Sequence, residues 1–74
     1  MQVSKNGQKQ SKVNINKANK EKLMTLPGVG ESTALKIIEY RTQNGDYKSI
    51  EELKKVAGIG DSKFNNLKEY VTVK

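Results

Sequence analysis

Two short stretches of this chain carry residues that could do chemistry, and they are near copies: LPGVGES at 26–32 and VAGIGDS at 56–62. Each sets two glycines around one apolar residue, Gly28-Val29-Gly30 and Gly58-Ile59-Gly60. Glycine admits φ > 0 and has no side chain, so such a turn folds sharply and bares backbone N–H groups. Ahead of a helix, those groups lie at the positive end of its dipole and suit an anion such as phosphate. Val29 and Ile59 can point inward and pin the turn. Ser32 with Thr33, and Ser62 with Lys63, lie within reach of the same anion. Glycine between two helices can also be a turn and nothing more. Recurrence favours the anion. Pro27 gives way to Ala57 and Lys36 to Asn66, while both glycine pairs and the acid–Ser pairs after them recur.

Catalysis has less to work with. Histidine and cysteine are absent, which removes the commonest bases, nucleophiles and soft metal ligands. Glu51 and Glu52 are adjacent, so on a helix they diverge by about 100° and form no dyad. Ser32 and Lys36 stand four apart, but Asn66 replaces the lysine in the second copy and no oxyanion site is evident. The chain reads as a non-enzyme.

The elements that must hold the turns follow from the repeat. Residues 19–41 slid by thirty fall on 49–71, pairing Glu21 with Glu51, Leu23 with Leu53, and Glu39-Tyr40 with Glu69-Tyr70. One supersecondary unit is used twice, and it parses as helix, tight turn, helix. Ser49 to Glu52 reads as a capping box, and Asn19 caps the same place in the first copy. Each first helix spans about two turns. Each second helix starts at Gly30 or Gly60, with Glu31 or Asp61 in its first turn, where the dipole favours an anion. Gly45 ends the longer second helix, and Asp46, Tyr47 and Lys48 link the copies. The pairs Leu23/Leu53, Ala34/Phe64 and Ile37/Leu67 stay apolar at spacings that fit one helical face and read as buried, with Ile38 and Val71 extending the stripe. Leu26/Val56 and Val29/Ile59 are conservative apolar pairs beside them. Leu35, opposite Asn65, lies at the surface or meets the opening segment Val13-Asn14-Ile15.

Length bounds the chain to one domain with a modest core. Net charge is +6, and three of those charges (Lys5, Lys9 and Lys12) lie in residues 1–12, which hold no acid and read as a disordered basic arm. Residues 13–74 form the domain. A basic chain attracts polyanions. No cysteine means no disulfide framework, and no apolar run matches a membrane span or signal. The polar start looks like that of an expressed fragment, which leaves an upstream anchor open.

These residues resemble a known family. LPGVG followed by Ala34 is similar to the helix-hairpin-helix motif of proteins that bind DNA without reading sequence, and two in tandem resemble an (HhH)₂ domain. The similarity is closest to DNA receptors of natural competence of the ComEA type. It covers Val13 to Lys74, taking in VNIN at 13–16, IIEYR at 37–41, NGDYKSIEEL at 44–53 and the ending YVTVK. Asn19 and Lys22 depart from the family's usual Ser/Thr and Glu. The resemblance implies an all-α, SAM-like small helical domain with a pseudo-two-fold axis, its hairpins meeting both strands of double-stranded DNA across the minor groove. Carried over by position, the amides around Gly28, Val29 and Gly30 and around Gly58, Ile59 and Gly60 would hold phosphates. Ser32, Thr33, Lys36, Ser62 and Lys63 would add side-chain contacts, with Lys55 and Arg41 as outer ones. Arg41 can instead close a helix C-terminus. No cofactor is implied, though such hairpins can hold a monovalent cation on backbone carbonyls.

The implied setting is the outer face of the cytoplasmic membrane or the periplasm, beside other components of the uptake machinery. The membrane would be reached only through an anchor outside this chain. Helix-hairpin-helix glycosylases act within a much larger fold than this one. The alternative is a helix-hairpin-helix module that binds protein rather than DNA, which loss of the glycines or of the nearby bases would favour. Both glycine pairs stand, flanked by Lys36, Lys55 and Lys63.

Overall fold

Asn14 and Asn16, either side of Ile15 in the opening segment, tie together parts of the chain that the repeat does not relate, Asn14 by donating to the Lys74 carbonyl. In the computed structural model, which describes residues 12–74, Val13–Asn14 (β1) pairs in parallel with Val71–Thr72 (β2), in the register Val13 to Val71. The Ile15 amide extends the ladder to the Thr72 carbonyl at 2.9 Å. The Asn16 side chain donates to the carbonyls of Tyr47 and Val73 and accepts from the Tyr47 amide at 2.6 Å. Apart from the exposed Lys12, the basic arm lies outside the described residues.

Between these ends the described residues are mostly helical, as expected. Lys20–Leu23 (α1) leads to the first glycine turn and Glu31–Asn44 (α2) follows it. A 3-10 helix, Ile50–Lys55, leads to the second turn. Asp61–Leu67 (α3) follows and tightens into a 3-10 turn, Lys68–Tyr70. The first helices are thus shorter or tighter than two α-turns. α1 is one turn, and its counterpart is 3-10 throughout. Gly45, at φ 86°, ends α2 as expected, its amide donating to the Arg41 carbonyl.

The capping expectation holds on one side only. The Asn19 side chain accepts from the Lys22 amide at 2.9 Å. Ser49 makes no side-chain cap. The bond that forms is one residue off the box: Glu52 Oε1 accepts from the amide of Lys48, ahead of the cap, and this holds the Glu52 carboxyl below its ordinary range. Asn19→Ala is therefore expected to destabilise the domain by about 1 kcal/mol. Ser49→Ala should lie within about 0.5 kcal/mol of the parent. Urea unfolding of the two variants checks this, and equal losses would contradict it.

All five apolar pairs read from the repeat are buried. Ala34 and Phe64, unlike in size, are both buried in the one core cluster. Ile38 is only partly buried. Val71 is buried, but on β2 rather than α3, because the helix ends at Leu67. Leu35 is 49% exposed, which settles it as a surface residue. Tyr47, read as a linker residue, is 2% exposed and sits in the core. Its hydroxyl donates to the Ile37 carbonyl at 2.9 Å and its ring stacks on Tyr40 at 5.1 Å. Arg41 does not close the end of its own helix. Its guanidinium donates to the Ile15 carbonyl at 2.7 Å, fastening the opening segment to α2.

Candidate nucleic-acid interface

Gly28 and Gly58 take φ of 77° and 93°, a region L side chains rarely adopt. Gly30 and Gly60 are extended, at φ −97° and −95°, and act as N-caps of α2 and α3 without any side chain to fill that role. The glycines in each pair therefore differ in role: the first makes the turn, and the second leaves the helix start bare. The Ala34 and Phe64 amides are the first in each helix to find a helical acceptor, the carbonyls of Gly30 and Gly60. Among the described residues no acceptor is found for the amides of Gly30, Glu31 and Ser32, or of Gly60, Asp61 and Ser62. These are the orphan donors of a helix N-terminus, and all six residues are exposed.

Val29 and Ile59 require a correction. Their side chains are buried, and their amides donate to the carbonyls of Leu26 and Val56 at 3.2 and 3.0 Å. Neither amide nor side chain is free for a phosphate, so both residues anchor the turn. On the helix side of each turn, the free donors begin one residue later. A monovalent cation would have to share the Leu26 and Val56 carbonyls with those amides, and nothing in the reading of the site depends on one. Among the described residues no acidic cluster could hold a metal ion.

Carboxylates stand beside both helix starts, and each is offset by a lysine. Lys20 Nζ lies 3.1 Å from Glu31, a contact that raises the lysine's pKa, and Lys54 Nζ lies 3.9 Å from Asp61 and over the Phe64 ring. These lysines are not equivalent in the repeat, so comparing the copies could not reveal them. The pattern i, i+11 and i, i+7 across a turn was the available signal.

Ser32 and Ser62 sit exposed at the mouths of the helices. Lys36 and Lys55 come together: they line one groove with Glu39, Tyr40, Gln43, Val56 and Ala57, where α2 faces the approach to the second turn, so one carboxylate stands among the two lysines. Thr25, Leu26 and Pro27, approaching the first turn, line a corresponding groove with Tyr70. Thr33 and Lys63 are half-buried, each against the opposite hairpin. Lys63 Cε is 3.8 Å from where a Cβ on Gly28 would stand, and Thr33 Oγ1 is 3.9 Å from the same place on Gly58.

Two helix–turn–helix units, with glycine turns and bare helix starts, packed through one core and joined at their ends, define a tandem helix-hairpin-helix domain. The chain belongs to the helix-hairpin-helix motif family, whose model matches residues 8–72. It is similar to ComE operon protein 1 of Bacillus subtilis (strain 168), with 46% identity over 97% of this chain and 35% of that protein. It is also similar to endonuclease/exonuclease/phosphatase family domain-containing protein 1 of Homo sapiens and of Danio rerio. Identity to each is 44% over 86% of this chain, covering 11% and 12% of those proteins. The chain thus spans about a third of the bacterial relative and a small part of the animal ones.

Proposed function

We propose that this domain binds double-stranded DNA without sequence preference, each hairpin holding a backbone phosphate on the amides at its helix start, with the pair reaching both strands across the minor groove. The observation that carries this reading is the pair of uncapped helix N-termini at Gly30 and Gly60, both exposed and both with unspent donors. Phosphate contacts position a protein on DNA but carry no base information, and no strongly basic recognition helix is present among the described residues. The similarity to ComE operon protein 1 and the resemblance to competence receptors support a role in capturing DNA for uptake at the outer face of the membrane. Several copies on one duplex would gain avidity there. Among the described residues no helix is long and apolar enough to cross a membrane.

Binding is expected to be weak, with Kd on the order of 10⁻⁴ to 10⁻⁶ M, and to lose affinity with salt at a log–log slope near −3.6 for about four basic contacts. Titrating the full chain against a fluorescent random-sequence duplex of about 30 base pairs, at several salt concentrations, measures both quantities. A folded chain that binds no duplex at low salt would rule out the DNA reading and favour a protein-binding module. A slope near zero would rule out the basic contacts.

A further inference from the structure

Lys63 follows the second glycine turn in sequence, but its side chain lies against the first. Its Cε packs within ordinary van der Waals distance of the position of a Gly28 Cβ, and in the mirrored contact Thr33 reaches Gly58. The grooves repeat this crossing, since Lys36 and Tyr40 of the first copy face Lys55, Val56 and Ala57 of the second, and Tyr70 of the second faces Leu26 and Pro27 of the first. Building on the DNA reading, we infer that each phosphate clamp is completed by the other hairpin's helix: the amides after Gly28 act with the Lys63 ammonium, and those after Gly58 act with the Thr33 hydroxyl.

The two clamps are therefore unequal. No carboxylate among the described residues lies within salt-bridge distance of Lys63, so its charge is available at the first turn. There it adds an ion pair and a released counterion to the amide contacts. Threonine at the second turn can donate a hydrogen bond but releases no counterion. The first hairpin holds its strand with charge, while the second relies on amides and on Lys36 and Lys55 farther along the groove. The half-burial of Lys63 limits the positions its ammonium can take, which is what a fixed partner for one phosphate requires.

Three measurements test this. In the free protein, the side-chain methylene protons of Lys63 should show nuclear Overhauser contacts to Gly28 Hα, and Thr33 to Gly58 Hα. Their absence would overturn the crossed geometry whether or not DNA binds. In duplex titrations Lys63→Gln should weaken binding on the order of tenfold and make the salt slope shallower by about 0.9, and Thr33→Lys should steepen it by about 0.9. Lys63→Gln should further lose its effect in a Gly30→Asp background and keep it in a Gly60→Asp background. The reverse coupling would assign Lys63 to its own turn and overturn the inference while leaving the DNA reading intact. A parent chain that binds no duplex would overturn both.

Discussion

The double variant Gly30→Asp/Gly60→Asp is expected to fold as well as the parent and to lose duplex binding altogether. Both positions are N-caps in extended backbone, where any residue fits, and a Cβ at either meets nothing within 4 Å. Aspartate is among the best N-cap residues, ahead of glycine by a few tenths of a kcal/mol, and its charge suits the dipole. Neighbouring Glu31 and Asp61 offset part of that gain, so stability should stay within about 1 kcal/mol of the parent. Binding should behave in the opposite way. Each new carboxylate occupies the amides that would hold a phosphate. A hydrogen bond to a charged group contributes about 1.5–3 kcal/mol, so losing it at both turns removes about 3–6 kcal/mol, or a factor of about 10² to 10⁴. From a Kd no tighter than about 10⁻⁶ M, that leaves little to measure. Circular dichroism melts and fluorescence titration on the same samples separate the two effects. Undiminished affinity would place binding in the basic arm instead of the hairpins. Substitution at Gly28 or Gly58 would not give so clean a result, because their positive φ strains any side chain.

What the sequence disclosed depended on the internal copy. A position seen twice can be judged by what survives drift, and both turns, the helix starts at Gly30 and Gly60 and the core pairs Leu23/Leu53, Ala34/Phe64 and Ile37/Leu67 were legible on that basis. Asn16 and Tyr47 fall outside the repeated span and Arg41 aligns with an unlike residue, Val71. None of the three had a counterpart to mark it as structural, yet together they tie the opening segment, the linker between copies and the last residues. The capping box at Ser49 misled for a different reason. A four-residue pattern is local, and the 3-10 geometry that follows it gives the serine no bond while still letting Glu52 reach back.

The crossing of Thr33 and Lys63 was illegible in principle from spacing. Proximity in sequence assigns each residue to the turn just before it, and only the packing of two copies about a shared core brings each to the opposite one. Duplication therefore produced more than two of the same clamp. One copy supplies the turn and the other the side chain packed against it, so in the proposed interface drift at a single position, Thr33 against Lys63, would make the two halves electrostatically different without altering either turn.

Tyr47→Ala is expected to be the most damaging single substitution for folding, although it lies in a three-residue linker. The ring is 2% exposed, stacks on Tyr40, and is held at both ends: its hydroxyl donates to the Ile37 carbonyl and its amide to Asn16. Truncating a large buried aromatic costs about 3–5 kcal/mol. A domain of this size has roughly 3–9 kcal/mol in total, so the variant should melt at least about 15 °C lower or be unfolded at room temperature. Tyr47→Phe keeps the ring and should cost only about 0.5–1.5 kcal/mol, with duplex binding unchanged because the lost hydroxyl bonds the Ile37 carbonyl and not a residue of either glycine turn. The pair also predicts an alkaline signature. Burial raises the Tyr47 phenol well above its ordinary value, so the folded state keeps a proton that the unfolded chain releases from about pH 10. Below that pH the contribution is fully present. Above it, stability should fall as pH rises, by up to about 1.4 kcal/mol per pH unit, and Tyr47→Phe should lack this component. Urea unfolding at neutral pH and above pH 10 measures both effects. A loss below about 1 kcal/mol for Tyr47→Ala would mean that the ring is not the wedge between the copies that its burial indicates.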